Sequence, residues 1–381
     1  MFLEYSDLFN KKIILRTDYN VPILNNIITS TKRIDASIDT INFILKQNPK
    51  QLIIISHLGR PKKYDSTLSL KPVCQYLQEI LKQPVTLSQL DNVDNNKITI
   101  LENIRFFEEE TRDIKTTPEF RKKLSNLGDV FVNDAFGCCH RAHSSIVGIN
   151  TNEKYLGFLV QKELDYLSNS LSVSGVKTLI LGGSKISDKI QLIKNLIPKM
   201  DNIIIGGGMA FTFLKYSDIN IGNSLFDEEG FKLIPEIKSL AYKYDTRIIL
   251  PVDFNCNNTF SNDGDLLYAY TPKGIPEGYM GLDIGELSIQ SFKTILCNSN
   301  LIIWNGPLGV FEFDNFELGS KKIMEYISQL ESISIIGGGD TASCCEKFNL
   351  QDKMNHVSTG GGASLELLEG KNLPGIKFIT N

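Results

Sequence analysis

Nine short stretches of this chain are nearly unbroken runs of isoleucine, leucine and valine that stop at polar residues or glycine: KKIILRTD, QLIIISHLG, KITILEN, DVFVNDAFG, VKTLILGGS, NIIIGGG, RIILPVDF, LIIWNG and SISIIGGG. A strand solvated on one face alternates apolar and polar residues, whereas one covered on both faces does not. These runs therefore predict parallel strands with helices on both sides, and the longer mixed segments between them have room for the crossover helices. The fold class expected is α/β, with doubly wound parallel sheets. At 381 residues the chain exceeds what one core usually covers, so two domains are expected, and 42% hydrophobic residues suffice for both.

The run endings differ along the chain. Up to about residue 145 they carry His, Arg, Asp and Asn, and from residue 182 they carry glycine runs. Between them YLGFLVQKELDYLSNSLSVSG reads as a helix closing in a serine-glycine turn, the candidate bridge between domains. A net charge of −4 gives no global electrostatic case for nucleic acid. No apolar run is long enough to span a bilayer, and MFLEYSDLFNKK lacks the basic-then-apolar order of a secretion signal. Seven cysteines, with neighbours at 138–139 and 344–345, suggest no disulfide framework, so a reducing, cytoplasmic setting is expected.

Seven of the eight arginines (Arg16, Arg33, Arg60, Arg105, Arg112, Arg121 and Arg141) and three of the four histidines fall in the first 143 residues. The planar fork of arginine makes bidentate contacts to phosphate or carboxylate that lysine cannot copy. The strand endings place Asp18 with Asn20, His57 with Arg60, then Arg105 and Arg141, where open α/β sheets bind ligands. Asp18 and Asn20, two apart at a strand end, would point the same way. Each alone has a bland reading as a surface ion pair or a satisfied histidine; together they point to a small phosphate acid. The glutamates of FFEEE read as a solvated face. FVNDAFGCCHRAHSS, with two cysteines and two histidines, raises a zinc site, but adjacent Cys138 and Cys139 lack the spacing of a zinc knuckle. The stretch reads instead as the wall of an anion pocket.

Triple glycines occur at 206–208, 337–339 and 360–362, and GGSKISDKI begins at Gly182. Glycine lets backbone N–H groups approach a phosphate, with the positive end of a following helix behind them. That end contributes only about 0.3–1 kcal/mol at an exposed site, so cations are needed as well. Lys185 and Lys189, four apart, would share a helix face and be relieved of mutual repulsion by a phosphate chain. Asp340 reads equally as a helix cap or a magnesium contact, whereas Glu312 reads first as an ordinary surface carboxylate and second as a ribose contact. Neither a G-x-x-x-x-G-K-[ST] nor a G-x-G-x-x-G fingerprint is present, and glycine turns alone also serve packing.

In combination, RTDYNVPI, SHLGRP, ILENIRFFEEE, VNDAFGCCHRAHSS, LGGSKISDKI, IIGGGMAFTFLK, LPVDF, MGLDIG, WNGPLGVFE, IIGGGDTA and HVSTGGGASLELLEGKNLPG make the chain resemble the phosphoglycerate kinases along nearly its whole length. The resemblance implies a hinge-bending, monomeric enzyme of two Rossmann-like domains. Residues 1–155 with a returning tail at about 363–381 would bind 3-phosphoglycerate or 1,3-bisphosphoglycerate. Residues 156–172 would form the hinge helix and 173–362 would bind MgADP or MgATP. Carried over by motif, substrate contacts are Asp18, Tyr19, Asn20, Arg33, His57, Leu58, Gly59, Arg60, Arg105 and Arg141. Nucleotide contacts are Lys185, Lys189, Gly206, Gly208, Gly285, Asn305, Glu312, Gly338, Gly339, Asp340 and Thr341. Arg33, Lys185 and Lys189 would act on the transferred group, and Asp340 would hold Mg2+. No nucleic acid or membrane partner is implied. The chain departs from the family pattern at Cys138, Cys139, Glu286 and Leu287. Two rivals remain: a kinase of an amino-acid carboxylate, on which 3-phosphoglycerate would fail as substrate, and a non-catalytic binder, whose retention on nucleic acid would fall with salt.

Overall fold

In the computed structural model, which describes residues 2–380, the apolar runs become two six-stranded parallel sheets, one in each of two units. One unit comprises residues up to Leu164 together with those from Asn372 onward, and the other comprises Asp165–Lys371.

The first unit contains β1 (Lys12–Arg16), β2 (Gln51–Ile55), β3 (Thr86–Ser88), β4 (Ile98–Leu101), β5 (Val130–Asn133) and β6 (Glu153–Leu156) in the order β3-β4-β2-β1-β5-β6. Every residue of β2, β4 and β5 is buried, which is why these runs do not alternate. Helix Lys71–Leu81 shows how the cover forms. Val73, Cys74, Leu77 and Leu81 fall on one face, Pro72 starts the helix, and Lys82 ends it in a left-handed conformation. The winding direction reverses between β1 and β5, where Arg16 lies opposite Asn133. Such a switch point opens a crevice at the carboxyl ends of the strands.

The second unit contains β7 (Lys177–Leu181), β8 (Asn202–Ile205), β9 (Arg247–Ile249), β10 (Asp253–Asn257), β11 (Leu266–Tyr270), β12 (Met280–Ile284), β13 (Leu301–Asn305), β14 (Ile333–Gly337) and β15 (His356–Val357). The parallel sheet runs β9-β8-β7-β13-β14-β15, so its switch point lies between β7 and β13. Around it pack Ile180, Ile302, Trp304, Phe292 and Ile323. A separate antiparallel sheet, β11-β10-β12, was not anticipated, nor were β3, β6 and β15.

Each of the nine runs contains a strand, with one internal correction. RIILPVDF splits into β9 and β10 around Pro251, which has no N–H for a ladder. The segment read as a helix from Tyr155 also differs. Tyr155 and Leu156 complete β6, and the helix proper is Phe158–Leu167, followed by a 3-10 turn at Asn169–Ser172. Asp134 accounts for its start, since its Oδ1 accepts the N–H groups of Leu159 and Val160 at 2.9 and 3.4 Å. The division between units falls within this helix. Helix Pro374–Thr380 belongs to the first unit, where the Gly375 N–H donates to the Cys139 carbonyl at 2.9 Å and Phe378 meets Phe131 edge-on. No helix among the described residues is long and apolar enough to cross a membrane.

Candidate active site

At the carboxyl end of β1 the chain leaves the sheet after Arg16, so Asp18 and Asn20 lie on a loop and not on one strand face. They diverge. Asp18 Oδ2 accepts from Arg33 Nη1 at 3.0 Å, while Asn20 Oδ1 accepts the Gly59 N–H at 2.8 Å. Tyr19 between them turns its ring into the core, where its hydroxyl meets Ser37 Oγ at 2.9 Å and burial pushes its pKa up. Leu58 is likewise buried. The side chains of these two are therefore core residues. Their neighbours do the presenting.

The turn at 57–60 is fastened to the one after β4. Asn103 Nδ2 donates to the Leu58 carbonyl at 2.7 Å, and Arg105 Nη1 donates to the Gly59 carbonyl at 2.7 Å. Gly59 is left-handed at φ +64°, which lets both its backbone groups be used in this way. A cavity of about 650 Å³ opens beside it, walled by Arg60, Lys62, Arg105, Arg112, Arg141 and His143 with Glu108. Arg60 and Arg141 are exposed, whereas Arg105 is partly buried. Three residues singled out from sequence thus share one cation-lined cavity. Asp18, Asn20, Arg33 and His57 form an adjoining cluster joined to it through Gly59.

His57 stands with Nε2 3.9 Å from Asp18 Oδ1 and Nδ1 3.4 Å from Arg16 Nη2. Burial, then the positive charges of Arg16, Arg105 and Arg33, hold its pKa well below the ordinary histidine value, so it is neutral at physiological pH. Burial, then the positive charges of Arg105, Arg16 and Arg141, hold His143 down at about 4. Cys138 adds a feature that the spacing argument could not see: one ligand atom each from Asp18, His57 and Cys138 lie within 4.8 Å of one another. Arg16 already supplies positive charge to this group, 3.9 Å from Cys138 Sγ, and burial pushes the thiol up to about 12. With that charge beside it and the thiol held protonated, the set does not fit a thiolate metal site.

Glu110 corrects the reading of FFEEE. It is fully buried, accepting from the Ser145 N–H at 2.8 Å and the Ser145 hydroxyl at 2.6 Å, with Arg16 Nη2 at 3.8 Å. Burial raises its pKa, against the pull of Arg16 and the Ser145 donors. In the sequence Arg16 is one arginine among eight, with nothing to mark it out. Neither residue had a signal beyond its place at an element's end.

In the second unit, Lys189 closes a 3-10 turn at Ser187–Lys189 ahead of helix Ile190–Leu196, and Lys185 precedes that turn, so the two do not share a helix face. The turn is imposed from outside, because Asp227 Oδ2 accepts the Ser187 N–H at 2.9 Å while its Oδ1 caps helix Glu228–Lys243. Lys185 stays exposed. Lys189 Nζ bridges the switch point, donating to the carbonyls of Gly182 and Asn305 at 2.9 and 3.0 Å and to Asn305 Oδ1 at 2.6 Å. Burial lowers its pKa to about 8, against the opposing charge of Asp340.

Gly206 and Gly338 cap helices Gly207–Tyr216 and Gly339–Lys347, and Gly338 has φ +87°. Asp340 sits in the first turn of the second helix, two residues past the position a capping role requires, which Gly338 occupies. Thr341 Oγ1 accepts the Gly306 N–H at 2.6 Å, tying this helix to the end of β13. A largely apolar cavity of about 510 Å³ adjoins, lined by Gly208, Phe211, Leu282, Val310, Glu312 and Asp340 among others. Asp340 is exposed and lines this cavity, a single carboxylate that fits magnesium, which takes few protein carboxylates and completes its shell with phosphate and water. Gly285 has a different reason to be glycine: it caps helix Glu286–Leu296, and a Cβ there would lie 2.2 Å from Asp253 Oδ2. Glu286 and Leu287 form that helix's first turn, Glu286 pairing with Lys322 and the Leu287 N–H donating to Asp253.

The family model described as "Phosphoglycerate kinase" matches residues 3–371. Phosphoglycerate kinase of Funneliformis mosseae is 45% identical, with 98% of this chain and 96% of that protein covered. That of Plasmodium falciparum is 44% identical, with 99% and 98% covered. Among solved structures, the phosphoglycerate kinase of Coxiella burnetii matches with TM-score 0.91 at 34% identity, covering 100% of this chain and 98% of that one. With an arginine-lined cavity at one switch point, a glycine-framed lysine at the other, and agreement over the whole length, the chain belongs to the phosphoglycerate kinase family.

Proposed function

We propose that this chain carries out the family's reaction, reversible phosphoryl transfer between 1,3-bisphosphoglycerate and ADP, with the phosphoglycerate held by the first unit and the nucleotide by the second. The observation that carries the assignment is the contrast between the two cavities. One is walled by arginines, lysine and histidine, as a small polyanion requires; the other is apolar with carboxylates and helix N-termini at its margin, as a base with a phosphate tail requires.

In this reading Arg60, Arg105 and Arg141 bind the phosphoglycerate's phosphate, and Asp18, Asn20 and His57 orient its hydroxyl and carboxyl groups. Arg33 from the first unit and Lys185 and Lys189 from the second neutralise the group in transit. Gly208 and Glu312, which line the second cavity, hold the nucleotide together with Gly206, Gly338, Gly339, Thr341 and Asn305 at the neighbouring strand ends and helix starts. Asp340 holds magnesium, which when bound neutralises charge on the nucleotide phosphates. In the forward step a terminal phosphate oxygen of ADP attacks the acyl phosphate phosphorus in line; the P–O bond to the acyl carbon breaks and the carboxylate leaves with its electron pair. The nucleophile is already anionic, so no general base is needed, and catalysis is positioning plus charge neutralisation. The site belongs to a monomeric, cytoplasmic enzyme in this proposal.

A coupled assay with 3-phosphoglycerate and MgATP tests it, following 1,3-bisphosphoglycerate through its reduction. Turnover that a chelator abolishes is expected. Arg33→Ala should lower kcat by about 100-fold or more while leaving each substrate's affinity within severalfold, as for a group whose contact matures in the transition state. A collapse of 3-phosphoglycerate affinity at unchanged kcat would assign Arg33 to ground-state binding instead.

A further inference from the structure

We propose that Glu110 is a positioning residue for the phosphoglycerate site: acting through Ser145 and Arg16, it holds His57 in the tautomer that carries its proton on Nε2. The proposal rests on the reading of His57 as a substrate contact given above.

The chain of donors runs in one direction. The Glu110 carboxylate takes both donors of Ser145, the N–H on Oε2 and the hydroxyl on Oε1. With its proton committed to Glu110, the Ser145 oxygen can only accept from Arg16, and Arg16 Nε donates to it at 2.7 Å. Nη1 of the same guanidinium donates to the Thr17 carbonyl, so the fork is fixed from two sides. Its remaining arm, Nη2, faces His57 Nδ1 at 3.4 Å. A guanidinium has no lone pair to offer, so Nδ1 must be the acceptor and Nε2 the protonated nitrogen. Nε2 is the atom on the Asp18 side of the ring, away from Arg16. A neutral ring in this tautomer donates a hydrogen bond to an anionic oxygen; in the other it would present a lone pair and repel it. Arg16, Glu110 and Ser145 are all buried, so no solvent competes for these directions.

Glu110→Gln tests the chain because it keeps shape and halves the acceptors. One Ser145 donor must then face an amide N–H2, the hydroxyl turns, and Arg16 loses its acceptor. Nitrogen-15 spectra of the imidazoles, with His57 assigned by its loss in His57→Gln, should show a single Nε2–H tautomer in the wild type. The Glu110→Gln spectrum should show a mixture, accompanied by an increase of about tenfold in KM for 3-phosphoglycerate and little change in KM for MgATP. Ser145→Ala, a smaller change, should shift both readouts the same way and decides the matter if Glu110→Gln does not fold. A folded variant whose His57 tautomer stays that of the wild type would overturn the proposal, as would a wild type with the proton on Nδ1. The spectra need no turnover, so absence of activity with 3-phosphoglycerate would sink the functional reading and leave this test standing.

Discussion

Burial pushes the Lys189 ammonium down to about 8, while the charges of Asp340 and Asp188 hold it up. Between about 8 and the ordinary 10.5 the unfolded chain binds the proton more readily than the folded one, so this group makes stability rise with pH across that window. Nucleotide binding depends on the charged form in the opposite sense. KM for MgATP is expected to climb as pH rises through about 8, and Lys189→Arg, charged throughout, should lose that inflection whatever its absolute activity. An unchanged inflection in the variant would place the titration elsewhere. At this scale the sequence announced residue types more reliably than their orientation. Arg60, Arg105 and Arg141 do share a cavity, but Tyr19 lies in the same short motif as Asp18 and Asn20 and turns inward. Glu108 and Glu110 are two apart in one acidic run, yet one is exposed and the other fully buried. Only the fold of the following turn decides which glutamate meets Arg16.

Gly338 and Gly339 sit side by side at one helix start and make opposite predictions. At Gly338 a Cβ would lie 3.0 Å from Asn305 Nδ2 at φ +87°, so Gly338→Ala strains the backbone and pushes the amide that holds Lys189. A loss of about 1–3 kcal/mol in stability is expected, with weaker nucleotide binding. At Gly339 a Cβ would meet nothing within 4 Å. Gly339→Ala should therefore stabilise the free protein by about 0.4–1 kcal/mol while weakening nucleotide binding, because the proposed phosphate lies against that backbone. Chemical denaturation and nucleotide titration would separate the two effects; unchanged affinity would mean that this glycine does not make room for a ligand. Elements were legible where burial on both faces wrote a continuous apolar run. They were not where a short strand is only partly buried and its residues are mixed, as in β3, β6 and β15, or where a strand is half exposed, as in β11. The expected helix face for Lys185 and Lys189 failed for another reason: Asp227, some forty residues away in sequence, shapes that turn.

Each unit has its own sheet and core, and the proposed ligands are divided between them. Hydrogen exchange should resolve this. 3-Phosphoglycerate is expected to slow exchange around residues 57–60 and 103–105, and MgADP around 206–208 and 338–341, each with little effect on the other set. Protection of the opposite set by either ligand would reverse the assignment. The change from polar to glycine endings along the chain foretold two sheets whose strand ends differ in composition. The antiparallel sheet of the second unit had no such signature, its residues being mixed and partly exposed.

The return of helix Pro374–Thr380 to the first unit has a consequence for how the chain is made. The Gly375 amide is bound to Cys139, one residue past the Cys138 that faces His57, and Gly375 packs within reach of Asn133 at the end of β5. These residues leave the ribosome only after the whole of Asp165–Lys371. The unit whose strands are translated first is thus the one finished last, and the intervening unit is free to fold while its predecessor still lacks a helix. A nascent chain arrested before residue 374 would already contain every residue proposed to contact either ligand, yet the helix that packs on the end of β5 would still be missing.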